Sequence, residues 1–167
     1  PQSAVTVGAG ATWGAVYDEV TTKGGRYVQG GGCLSVGVAG LVQSGGFGSL
    51  SKNYGLAAAG LLEAEVVTAD GIARIANACT HPDLFWALKG GGGGGLGVVT
   101  RLTLKTRELP QFVGAVFIRI RASSDTAFRE LISGTLRFYG DNLFNRHWGE
   151  QIIFERGNAM RFGMVFQ

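Results

Sequence analysis

Cysteine, histidine and proline are scarce in this chain of 167 residues. Two cysteines, Cys33 and Cys79, are too few for a disulfide framework. His81 and His147 stand alone, without the partner spacing of a metal site, so no metal is expected. With three prolines and no fixed glycine period, collagen-like and solenoid architectures are excluded. No apolar run reaches the roughly 20 residues that span a bilayer, and no signal-peptide pattern occurs in these residues, so neither a membrane partner nor a compartment is indicated. Charge is restrained as well. Fifteen basic and twelve acidic residues are interspersed for a net +3, without the clustered basic face of a nucleic-acid binder.

What is abundant is glycine, at 29 residues, far above its usual share of about 7%. The glycines sit beside Val, Leu, Phe and Trp, unlike those of a flexible linker. A hydrophobic content of 46% is that of a chain with a real core. Residues 4–7 read as a strand ended by Gly8 and Gly10, after which Thr12 caps a helix over 13–23 that stops at Gly24. Segments 61–68 and 72–76 predict a hairpin around Asp70-Gly71. A short helix over 82–89 follows, then the glycine run 90–95 and a strand over 96–106, in which Val99, Leu102 and Leu104 predict partial burial. Pro110 closes this region. Beyond it glycine thins out, and a strand (112–121), a helix (123–139) and a hairpin (149–154 with 159–166, around Gly157-Asn158) predict a β-α-β-β order. The fold class is α+β, with a first domain over 1–110 and the first half of an antiparallel-sheet domain over 111–167. The chain opens already inside a strand, and it stops at Gln167 before a second helix and strand. Both ends therefore read as cut.

GAGATWG at 8–14 follows a strand and opens a helix, which raises a dinucleotide-binding fingerprint. Its glycines are spaced G-x-G-x-x-x-G, however, and Val28-Gln29-Gly30-Gly31 supplies no ribose-binding carboxylate. A plain tight turn is the better reading. Two glycine-rich segments, 30–48 and 90–97, leave two alternatives open. Bare main chain can lie against a flat or phosphorylated ligand, with Ser35, Ser44 and Ser49 adding hydrogen bonds. The same glycines can instead serve tight turns in a close-packed sheet. No nucleoside-triphosphatase P-loop pattern is present.

Three stretches, GAGATWGAVYDEV (8–20), GGGCLSVGVAGLVQSGGFGSLSKNYGLAA (30–58) and DLFWALKGGGGGGLGVVTRL (83–102), resemble in order the PCMH-type FAD-binding domain of the vanillyl-alcohol oxidase superfamily. More narrowly they resemble the berberine-bridge-enzyme-like flavin oxidases. The resemblance implies a bound FAD wrapped by the segment matching Gly32, Cys33, Ser35, Val36, Gly37 and Val38, with Cys33 joined by a thioether to carbon 6 of the flavin. The alternative for this cysteine is a small buried thiol. It further implies that Gly45, Gly46 and Phe47 lie along the flavin and pyrophosphate. Gly97, Val98 and Val99 match the strand whose backbone contacts the adenosine side. Cys79 matches nothing in the family and reads as packing.

The implied activity is an oxidoreductase, an oxidase that moves a hydride from a small alcohol, sugar or related substrate to flavin N5 with oxygen as acceptor. A dehydrogenase with non-covalent FAD and a flavin-free module without activity are the alternatives. The family's flavin-attaching histidine loop lies upstream of these residues, and its catalytic base downstream. Leu41 stands where the family often has histidine. No catalytic residue is therefore assigned. Tyr27, Gln43 and Tyr54 are the polar side chains near the motif, each with structural roles favoured, and Gln151 and Arg119 face either substrate or solvent. Sheet edges left open by the cut ends predict self-association of the fragment.

Overall fold

The computed structural model describes residues 3–167, which divide into two compact units, Pro1–Leu109 and Pro110–Gln167. In the first, the elements run β1 (Ala4–Gly8), α1 (Trp13–Tyr17) continued by a π-helical stretch (Asp18–Lys23), β2 (Arg26–Val28), α2 (Val38–Gln43), α3 (Ser51–Tyr54), a 3-10 turn (Ala57–Gly60), β3 (Leu61–Val67), β4 (Ala73–Asn77), α4 (Pro82–Leu88) and β5 (Val98–Glu108). The sheet is antiparallel in the order β1-β5-β3-β4, with β2 pairing the far end of β5.

β5 is the strand on which the others are hung. Its register against β3 steps from Arg101 opposite Glu65 to Val99 opposite Val66, so Thr100 is the extra residue of a bulge. In a regular strand Val99 and Leu102, three residues apart, would point to opposite faces; the bulge takes up the odd residue, and both are buried, together with Leu104. Partial burial was the expectation from sequence for these three, and full burial is the outcome. Thr100 turns outward and its hydroxyl donates to Glu65 Oε1 at 2.7 Å.

One apolar cluster joins Trp13, Val16 and Val20 to Val38 and Val42 of α2, Phe85 and Leu88 of α4, and Leu61, Ala64 and Val66 of β3. Trp13, wholly buried, is its largest member. A Cβ on Gly30 would lie 2.4 Å from the Trp13 ring, so only glycine lets the main chain cross that indole. Tyr17 stacks on Trp13 with ring centroids 5.4 Å apart, and its hydroxyl donates to the Gly31 carbonyl at 2.7 Å. β2, α2 and α3 are absent from the sequence reading. α2 lies inside the glycine-rich segment, where Val38, Ala39 and Val42 form a buried stripe too short to stand out among the glycines.

The second unit consists of β6 (Gly114–Arg121), α5 (Asp125–Phe138), a π-helical turn (Tyr139–Leu143), β7 (Trp148–Glu155) and β8 (Ala159–Phe166). Its sheet is antiparallel in the order β6-β8-β7. Ser124 caps α5 by accepting from the Ala127 N–H at 3.2 Å. The β7–β8 hairpin turns through Gly157 and Asn158, both at positive φ, as the Gly-Asn pair predicts. α5 lies over the sheet face carrying Ile118, Ile120, Met160 and Phe162, and Phe128 meets Phe154 edge-on at 6.4 Å. Among the described residues no helix is long and apolar enough to cross a membrane.

The glycines separate into crowded and open positions. A Cβ on Gly48 would lie 2.0 Å from the Gly30 carbonyl oxygen, a backbone atom that cannot move aside, whereas one on Gly32 or Gly37 would meet nothing within 4 Å. Gly48→Ala is expected to lower stability by about 1–3 kcal/mol through overpacking. Gly32→Ala should leave the denaturation midpoint nearly unchanged. Urea melts of the two variants beside the parent chain check the contrast.

Candidate functional site

The turn at 8–14 and the segment at 33–38 are built as one piece. The Ala11 N–H closes the turn onto the Gly8 carbonyl at 3.0 Å, in keeping with a tight turn in place of a dinucleotide fingerprint. Three further bonds zip the two segments together: Trp13 N–H to Val36 O (2.9 Å), Gly14 N–H to Leu34 O (2.8 Å) and Val38 N–H to Ala11 O (2.9 Å). Thr12 and Gly37 form the bridge between them. The helix that follows the turn is fixed by buried Trp13, and the segment is fixed at its far end by buried Val38. Between these anchors Gly32, Cys33, Leu34, Ser35, Val36 and Gly37 lie at the surface.

Cys33 is exposed. Its Sγ lies 3.4 Å from Ser35 Oγ. The Ser35 hydroxyl, followed by the Ser35 backbone N–H, holds the thiol below its ordinary pKa against an opposing contribution from desolvation, with the Val36 N–H adding least. A thiolate is the nucleophilic form of cysteine, so this one is set up for bond formation with an electrophile. Leu34 is 61% exposed beside it, giving the same patch an apolar element.

The remaining candidates fall in different surroundings. Val38 points into the core, wholly buried. Gly45 and Gly46 are held by the 3-10 turn: the Ala58 N–H donates to the Gly45 carbonyl at 2.9 Å and the Ala57 N–H to that of Gly46 at 2.8 Å. A Cβ on Gly46 would collide with Leu41 and Ala57 at 2.4 and 2.6 Å. Phe47, in contrast, is 69% exposed. At the start of β5, Gly97 has φ +148 and a Cβ there would lie 2.5 Å from the Val67 carbonyl oxygen, so it serves the β3–β5 contact. Val98 is exposed and Val99 buried.

The two glycine-rich segments meet. The Gly92 N–H donates to the Gln43 carbonyl at 2.8 Å, and a Cβ on Gly90 would come within 3.6 Å of Gly45 Cα. Past that contact the run opens out, since Gly93, Gly94 and Gly95 have no neighbour where a Cβ would stand. Close packing thus accounts for Gly46 and Gly97, while Gly93, Gly94 and Gly95 have open space.

Tyr27, Gln43 and Tyr54 are engaged in the scaffold. The Tyr27 hydroxyl donates to Gln29 Oε1, Gln29 Nε2 donates to Ser51 Oγ at 3.0 Å, and Ser51 Oγ also accepts the Gly48 N–H at 2.9 Å. Burial, reinforced by Tyr17 and Tyr54, pushes the Tyr27 phenol well above its ordinary range, which keeps it protonated and unsuited to act as a base. Burial likewise raises Tyr17 to about 12. Gln43 is buried and donates to the Ala39 carbonyl at 3.1 Å. The Tyr54 ring lies 4.9 Å from that of Tyr27 and beneath the Arg107 guanidinium at 4.7 Å. Trp13 and the Gln29–Ser51 link were not singled out from sequence. Cys79, read there as packing, is corrected: it is exposed, and its N–H donates to Asn77 Oδ1 at 2.9 Å in the turn before α4. Among the described residues no group of three His, Cys, Asp or Glu side chains is gathered to hold a metal ion.

Residues 1–77 match the FAD binding domain family. An FAD-linked oxidoreductase of Phaeosphaeria nodorum is 46% identical over 123 residues, which is 73% of this chain and 28% of that protein. The solved structure of Physcomitrella patens BBE-like 1 superposes with a TM-score of 0.89 at 25% identity, over 99% of this chain and 35% of its own. Glucooligosaccharide oxidase from Acremonium strictum, whose FAD is 6-S-cysteinyl and 8α-N1-histidyl, superposes with a TM-score of 0.85 at 28% identity, over 98% of this chain and 34% of its own. The chain therefore spans about a third or less of the length of the relatives it matches. With an FAD-binding sequence over residues 1–77 and a backbone like theirs along its length, the chain is similar to the BBE-like, VAO-type flavoproteins.

Proposed function

We propose that this chain forms part of the FAD site of an oxidoreductase that takes a hydride from a small alcohol, sugar or related substrate, with oxygen as acceptor and Cys33 as a covalent tether. The observation that carries the reading is the position of the thiol. An isolated cysteine ordinarily packs in the interior, whereas Cys33 is exposed, hydrogen-bonded to Ser35 and flanked by main chain with free space at Gly32 and Gly37. Those features suit a soft nucleophile meeting the edge of a flat ring. There a C–S bond would replace the thiol S–H and one ring C–H, the two protons leaving to solvent and the two electrons passing through the oxidised flavin to oxygen. Bound FAD would supply the hydride-accepting chemistry; the protein's part is binding, orientation and tuning of charge.

In this reading Gly32, Ser35, Val36 and Gly37 offer backbone and apolar surface to the ring system, and Phe47 and Val98 flank the remainder of the cofactor. Val38, Gly45, Gly46, Gly97 and Val99 act one step back, fixing the main chain from beneath. Residues 1–110 then make up the C-terminal portion of an FAD-binding domain and 111–167 the beginning of a substrate domain. The oxidase and sugar elements are supported by likeness to the oligosaccharide oxidase, and the cysteinyl link by the 6-S-cysteinyl attachment of its FAD.

Two measurements test the proposal. In acid-precipitated holoprotein, the proteolytic peptide containing Cys33 should carry the added mass of FAD, and Cys33→Ala should abolish that adduct. Bound FAD with an unmodified Cys33 peptide would defeat the covalent tether while leaving the flavoprotein reading intact. Separately, in flavin-free Cys79→Ser protein, iodoacetamide should alkylate Cys33 with a pH midpoint below that of an ordinary thiol. Because Ser35 stabilises the thiolate, Ser35→Ala should move that midpoint upward. An unmoved midpoint refutes the role given to Ser35.

A further inference from the structure

The sheet of the second unit has two unlike faces. Alternation along β6, β8 and β7 sends Ile118, Ile120, Met160 and Phe162 toward α5, and sends Phe117, Arg119, Arg161, Gly163, Gln151 and Glu155 to the opposite face. That second face carries an unusual arrangement. Phe117, Gly163 and Gln151 are directly paired across the three strands. A Cβ on Gly163 would touch the Phe117 ring at 3.2 and 3.3 Å, so the ring lies over the glycine in the middle of the sheet. It is nevertheless 80% exposed.

In the next row Arg119 and Arg161 are cross-strand neighbours. Two adjacent guanidiniums repel unless an anion joins them. Here Glu155 does so, accepting from Arg119 Nη2 at 2.9 Å and from Arg161 Nε at 2.7 Å. One carboxylate answers two cations, leaving a net positive charge. The arginine side chains remain 62% and 55% exposed, against 23% for the glutamate. Each guanidinium has further N–H groups in its planar fork beyond the one given to Glu155. A cleft of about 360 Å³ opens here, lined by Phe117, Arg119, Gln151, Ile153, Arg161 and Gly163. That volume falls within the usual range for small-molecule sites of about 300–1,000 Å³.

We infer that this face is a binding site for a small aromatic carboxylate. The ligand's ring would stack on Phe117 above Gly163, its carboxylate would take the unused N–H groups of Arg119 and Arg161, and Gln151 would hydrogen-bond a polar substituent. An exposed aromatic ring gains by being covered, and bidentate guanidinium–carboxylate pairing supplies orientation as well as attraction. Glu155 holds the two arginines in place for this. The inference concerns the second unit alone and stands independently of the flavin reading.

Phenylacetate is a suitable probe and 2-phenylethanol its neutral counterpart, each titrated into the ¹⁵N-labelled chain and followed by amide chemical shifts. Phenylacetate should give saturable shifts at Phe117, Gln151 and Gly163, and the alcohol should bind about tenfold more weakly for want of the charged pairing. Arg161→Gln should weaken phenylacetate binding about tenfold with a native spectrum retained, and Phe117→Ala should weaken acid and alcohol alike. Arg119→Gln, on edge strand β6, serves as the second charge variant if Arg161→Gln loses the native spectrum. Equal affinity for acid and alcohol, unchanged affinity in the arginine variants, or no saturable shift at this face would each overturn the inference.

Discussion

Main chain resting on main chain is the contact from which the first unit is organised. A Cβ on Gly48 would strike the Gly30 carbonyl oxygen and one on Gly30 would strike the Trp13 indole, while the Ser51 hydroxyl holds the Gly48 N–H. Backbone atoms cannot rotate aside as side chains do, which makes this a rigid closure. It ties off the chain between 30 and 48. α2 then fills the inside of the loop with Val38 and Val42, and residues 32–37 are left on the outside.

The placement of the thiol follows from that closure. Cys33 does not hang on a free loop, because the next residues are laced to the 11–14 turn by backbone hydrogen bonds. Trp13 and Val38, both wholly buried, pin the two ends of the lacing. A reactive group carried on a framework of this kind keeps its direction, the requirement for productive bond formation. The acid-strengthening of the thiol is equally local: a hydroxyl two residues on and backbone N–H groups of the same turn supply it, with no nearby cation among its causes.

The second unit assigns its polar and apolar residues by strand alternation. One face is covered by α5, and the other brings an uncovered phenylalanine beside two arginines sharing one glutamate. Neither set is contiguous in sequence. Phe117 and Arg119 come from β6, Gln151 and Glu155 from β7, and Arg161 and Gly163 from β8, so the grouping exists only once the register is established.

Much of the layout was legible from local pattern. The hairpin signals Asp70-Gly71 and Gly157-Asn158 and the periodicity of α5 are short-range features, and they produced the elements expected of them. The glycine-rich motifs with Cys33 pointed to a flavoprotein through their resemblance to a known family, in which main chain lies close to a flat cofactor. What composition and spacing left undecided was which glycines face a ligand and which face the protein. Gly30, Gly46, Gly48 and Gly97 are crowded by Trp13, Leu41, Gly30 and Val67, all remote or non-adjacent in sequence, whereas Gly32 and Gly37 have open space. The bulge at Thr100, the exposure of Cys79 and the pairing of Arg119 with Arg161 were hidden for the same reason. Local chemistry determined the elements, and the resemblance carried by the motifs the kind of cofactor; steric exclusion and strand register, which act between distant parts of the chain, decided where each residue faces.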